Sequence, residues 1–136
     1  MPKSAFVRWT PKGDETVDLA TLKAALEAYR EKLAKTGEQL GWDYAHYAFP
    51  YRIEEKEKDG LPYLELVGHD PVMYRRLLMT AQTVDGIGVV QITLPDDATQ
   101  GDSNKANELA RYLARHYQAE LLLFNGRVQY FTVGKK

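Results

Sequence analysis

The sequence predicts an α+β fold: a single-domain, two-layer sandwich with helices packed on a mostly antiparallel sheet, in the order β-α-β-β-α-β-α-β-β. Three observations predict it. Asp59-Gly60 and Asn125-Gly126 each separate two runs of strand-forming residues, and these dipeptides suit the tight turns of antiparallel hairpins. Ala106, Leu109, Ala110, Leu113, Ala114 and Tyr117 recur every three or four residues, giving one helix an apolar face that a sheet must cover. Finally, hairpins interleave with helices instead of alternating strictly with them, an order that favours segregated layers.

Taken in order, Ser4 to Trp9 is short and bulky and stops at Thr10-Pro11, as a first strand would. Asp18 or Thr16 can cap a helix carrying Leu22, Ala25, Leu26, Tyr29 and Leu33 at helical spacing, and Thr36-Gly37 is its expected end. The aromatic segment Gly41 to Pro50 has no dominant period and reads as a packed loop with one helical turn. Tyr51 to Glu57 and Pro62 to Val67 form a hairpin whose charged arm, Glu54 to Lys58, resists edge-to-edge association. Asp70-Pro71 pairs a cap with a proline at the first helical position, so a short helix through Val72, Met73, Leu77 and Leu78 is expected, with Arg75 and Arg76 facing water. After Asp85-Gly86, Ile87 to Leu94 is a strand with Val90, Ile92 and Leu94 on one face. The long helix follows, and the unit from Ile87 to Glu120 is compatible with a right-handed parallel crossover. In the last hairpin a two-residue type I′ turn would set Leu123 opposite Val128. That register groups Leu121, Leu123, Val128 and Tyr130 on a core face and Glu120, Leu122, Phe124, Arg127, Gln129 and Phe131 on a mixed one.

Composition narrows the function classes. A formal charge of −1, evenly spread, gives no electrostatic reason to bind nucleic acid or a membrane. Cysteine is absent, which excludes disulfides and thiolate metal sites and fits a reducing cytoplasm. No basic leader or long apolar run is present, so a cytoplasmic location is expected.

Polar groups converge most between Leu94 and Glu108, where a strand end meets a helix start. Thr99, Ser103 and Lys105, with the helix's free N–H groups, can receive an anion such as phosphate. Asp96, Asp97 and Asp102 can offer oxygen to a divalent cation, although neither a glycine-rich phosphate loop nor an EF-hand spacing is present. The competing structural reading makes Asp96-Asp97 a turn and Asp102 or Ser103 the helix cap. His46, His69 and His116 match no zinc motif, and neither Ser4 nor Ser103 sits in a nucleophile elbow. No catalytic set, resident metal or cofactor is therefore expected. Tyr112, off the helix stripe beside Arg111 and Arg115, together with Leu122, Phe124 and Phe131, makes a candidate protein interface.

At Thr36 to Leu40, Ala48 to Tyr51, Leu94 to Asp102 and Leu123 to Arg127 the chain resembles a family of uncharacterised small proteins from Bacillus and its relatives. The resemblance runs through nearly the whole chain, implies a bacterial, cytoplasmic, single-domain protein, and brings no catalytic residues with it. The leading expectation is a non-enzymatic domain that binds another protein or a second copy of itself. The alternative is a small-molecule binding protein or enzyme using the loop from Asp96 to Glu108.

Overall fold

Seven of the nine elements are strands, the five long ones marked mostly by alternation of apolar and polar residues, and the structure, a computed structural model, describes residues 3–13, 15, 17–40, 49–70 and 72–131. The strands are β1 (Lys3–Trp9), β2 (Tyr51–Lys58), β3 (Leu61–Gly68), β4 (Arg76–Val84), β5 (Ile87–Leu94), β6 (Glu120–Leu122) and β7 (Val128–Tyr130), and the helices are α1 (Leu19–Leu40) and α2 (Gln100–Tyr117). They form one seven-stranded sheet, ordered β2-β3-β4-β5-β1-β6-β7, in which every neighbouring pair is antiparallel. The α+β class with helices on an antiparallel sheet is thus observed, with the order β-α-β-β-β-β-α-β-β. β5 and β6 do run in the same direction about α2, but β1 lies between them and pairs with both, so the crossover skips one strand.

Three local expectations are corrected. Residues 76–84 are a strand, not part of a helix: Asp70 closes a single turn, its carboxylate accepting from Val72 N–H and its carbonyl from Met73 and Tyr74 N–H, and the chain then extends. α1 does not stop at Gly37 but continues to Leu40 with Gly37 buried, packing overriding the weak helix preference of glycine. Its start is capped as foreseen by Asp18, whose carboxylate accepts from Thr21 N–H at 2.9 Å. In the last hairpin Leu122 faces Val128, one residue off the expected register. Gly126 alone takes positive φ (88°), so the connection is a three-residue loop closed by Leu123 N–H to Arg127 O instead of a type I′ turn, which needs two such residues. Val128 and Tyr130 consequently leave the core face and are 43% and 63% exposed. The expected loop at 41–48, with Trp42, Tyr44, His46 and Tyr47, lies outside the described residues.

One sheet face carries the core. Ala5, Val7, Leu64, Leu66, Leu77, Met79, Val90, Ile92 and Leu121 are fully or almost fully buried there against Leu22 and Leu26 of α1 and Ala106, Leu109, Ala110 and Leu113 of α2. The opposite face holds the alternate residues, among them Phe6, Tyr63, Val67, Leu78, Val89 and Leu122, all of intermediate exposure. Among the described residues neither helix covers it.

Candidate functional site

Thr99, not Asp102 or Ser103, is the N-cap of α2. Its hydroxyl accepts from Asp102 N–H at 3.0 Å while its own N–H donates to Asp102 Oδ2 at 3.0 Å, a reciprocal capping box. The Thr99 hydroxyl also donates to Met73 O at 2.6 Å. Asp102 is completely buried. Besides Thr99 it accepts from the Tyr51 hydroxyl at 2.5 Å and from the backbone N–H groups of Arg75 at 3.0 Å and Arg76 at 3.2 Å. Backbone donors, the Tyr51 hydroxyl and the positive end of the helix balance this carboxylate, with no cationic side chain paired to it among the described residues. Burial, then the hydrogen bond to Asp102, pushes the Tyr51 phenol far above its ordinary range and keeps it a donor. Gly101 completes the joint: a Cβ there would stand 2.3 Å from Met73 O and 2.8 Å from the Tyr74 ring.

The other residues singled out in this loop do not converge with Asp102. Asp97 pairs with Arg76 at 3.4 Å and Arg75 at 3.8 Å, and Lys105 lies 3.4 Å from Glu108. Asp96, Thr99 and Ser103 line a shallow depression of about 270 Å³. Thr99 and Asp102 have their oxygens engaged within the fold, and among the described residues no three His, Asp or Glu side chains form a group able to hold a metal ion. The loop is a joint that pins α2, β2 and the start of β4 together.

The four interface candidates separate as well. Tyr112 packs on Tyr29 of α1, with ring centroids 4.4 Å apart, and stacks on His116, so it mediates helix–helix contact. Phe124 and Phe131 lie against the core, and the Arg115 guanidinium sits 5.4 Å from the Phe131 ring. Only Leu122 of the four belongs to the uncovered sheet face, opposite Phe6 and Val128. Sequence reasoning misses the β4 part of that face because its start, Arg76 to Leu78, reads as the end of a helix and 79–84 reads as no element. The signal that reveals β4 is Asp85-Gly86, a third Asx-Gly turn, with both residues at positive φ, and alternation continuing on its N-terminal side.

Across the uncovered face the register sets Ser4 beside Thr93, Phe6 beside Gln91 and Arg8 beside Val89, then Thr93 beside Leu78 and Gln91 beside Thr80. Ser4, Gln91 and Thr93 form a hydrogen-bonded cluster within 3.4 Å of one another. Arg8 pairs with Glu120 at 3.1 Å, and at the far edge Lys56 and Arg76 both lie near Glu65. A hollow of about 470 Å³ opens over Tyr63, Leu78, Thr80, Gln91 and Thr93.

A family model described as a domain of unknown function matches residues 3–133. The chain belongs to this family, DUF1885. A crystal structure of a protein of unknown function from Bacillus stearothermophilus is similar to this DUF1885 chain at 38% identity with a TM-score of 0.60, covering 89% of this chain and 93% of the other. No curated protein matches. The family and its solved relative agree with the resemblance drawn from the sequence, and neither names an activity. No described helix is long and apolar enough to cross a membrane.

Proposed function

We propose that the protein is a self-associating domain whose uncovered sheet face docks on the same face of a second copy. The observation that carries this reading is the half-buried apolar set Phe6, Val67, Leu78, Val89 and Leu122 on a seven-stranded sheet with helices on its other side only. Water-soluble monomers rarely leave an apolar patch of more than a few hundred Å² uncovered. The whole face of the five long strands, polar residues included, has a footprint of roughly 600 Å² at ~4.8 Å between strands and ~3.3 Å per residue before β6 and β7 are added, close to the ~800 Å² per partner of a standard interface. Charge favours a second copy over a strongly charged partner. Arg8–Glu120 and the Lys56, Arg76 and Glu65 group intersperse both signs, so two such faces meet without like-charge repulsion.

Sedimentation equilibrium tests this reading with the unmodified chain. A dimer is expected at concentrations on the order of 100 µM, where a micromolar complex is filled, and Leu78→Glu and Val89→Lys should each return it to monomer with unchanged circular dichroism. A strict monomer at that concentration overturns the reading. So does a dimer indifferent to both substitutions.

A further inference from the structure

The other end of α2 encloses a second feature. A cleft of about 580 Å³ opens between the end of β1, the turn after it, the last turn of α2 and the start of β6. Part of its floor is aromatic and preformed: the Tyr117 ring stacks at 3.9 Å and 10° on the nearly buried Trp9 indole, and His116 meets Tyr117 edge-on at 4.7 Å. Trp9 fits because residue 88 is glycine; a Cβ there would lie 3.1 Å from the indole and 2.7 Å from Val17. Burial, aided by Glu15, raises the Tyr117 phenol to about 12, so it stays uncharged near neutrality.

The polar groups around this floor are unequally used. Glu15 accepts from Trp9 Nε1–H at 3.4 Å and from Lys12 N–H at 3.0 Å, and Glu120 accepts Arg8 at 3.1 Å. The Lys12 ammonium and the His116 ring nitrogens, which also line the cleft, have no hydrogen bond or ion pair among the described residues. Arg8, whose guanidinium pairs with Glu120 and has no partner for its Nε–H among the described residues, keeps about two-fifths of its side chain exposed. Unused donors beside a preformed aromatic floor want oxygen acceptors joined to a ring.

The geometry points to a binding site for a small acid built on a planar ring, its carboxylate or phosphoryl oxygens meeting Lys12, His116 and the exposed part of Arg8, its ring lying against Tyr117 and the exposed rim of Trp9. This site shares Arg8 and Glu120 with one end of the sheet face proposed for self-association, but its titration is read independently of the oligomeric state.

The test is fluorescence titration of Trp42→Phe, which leaves Trp9 as the sole indole of the two in the chain, with phenyl phosphate, benzoate and inorganic phosphate as probes. Calorimetry on the unmodified chain gives the same affinities without relying on that substitution. Saturable binding of phenyl phosphate or benzoate is expected, weaker for inorganic phosphate, and weakened roughly ten-fold by Lys12→Met and by His116→Gln. Tighter binding of phenyl phosphate assigns a phosphoryl ligand, and tighter binding of benzoate a carboxylate. Failure of both ring acids to saturate below about 10 mM overturns the proposal, as does saturation that neither substitution changes.

Discussion

The two ends of α2 contain similar polar inventories and use them in opposite ways. At its N-terminus Thr99, Asp102, Tyr51 and the Arg75 and Arg76 N–H groups satisfy one another inside the protein. At its C-terminus Lys12 and His116 line an open cleft and have no such partners among the described residues. The more site-like stretch by sequence, Leu94 to Glu108, is therefore the more structural one. Polar density marks places where backbone needs satisfying as readily as places where a ligand docks, and only the accounting of partners separates them.

That contrast can be broken most directly at Asp102. Replacing it by Ala strands four donors, the buried Tyr51 hydroxyl and the partly buried N–H groups of Arg75, Arg76 and Thr99, so Asp102→Ala should cost more than about 3 kcal/mol in urea unfolding, well beyond the ~1 kcal/mol of an ordinary cap. A loss of only cap size would mean that water reaches the joint and the two ends of the helix are alike. Next in size is Gly101→Ala, whose Cβ would press on Met73 O and the Tyr74 ring; about 1–3 kcal/mol of overpacking is expected in the same measurement. Smallest is the alkaline limb of stability. Tyr51 and Tyr117 both hold their protons more tightly folded than unfolded, Tyr117 to about 12. Their contribution is complete below the unfolded phenol value near 10 and should fall as pH rises from there through 12, because the unfolded chain then binds fewer protons. A phenolate absorbance titration sharpens the comparison: Tyr117, at the open cleft, should ionise before Tyr51, which should follow only when the fold gives way.

Much of the architecture was legible because it rests on local chemistry. Asp59-Gly60 turns exactly where positive φ is needed at both residues, Asp18 caps α1, and the apolar stripe of α2 is the buried stripe. What could not be read locally depends on residues far away in sequence. Asp70 begins a helix-like turn, and Val72 to Leu78 could continue it, but the N–H groups of Arg75 and Arg76 are taken by Asp102, 27 and 26 positions later. The chain extends into β4 from there. The same blindness hid the candidate site at the C-terminal end of α2. Trp9, Lys12 and His116 lie in three separate stretches, and no motif spacing relates them. Tyr112 illustrates the reverse error, an off-stripe aromatic that looks free until the second helix arrives beside it.

The placement of β1 sets a schedule for the molecule's assembly. Val7 pairs with Val90 on one side and Leu121 on the other, so β1 is synthesised well before either of its partners. The hairpins β2-β3 and β4-β5 can close as they emerge, while Ala5, Val7 and Trp9 wait as a bare apolar strand until β5 has been made and then β6. The central seam of the sheet closes late, and any chaperone that attends this protein during synthesis has its natural handle at the first strand.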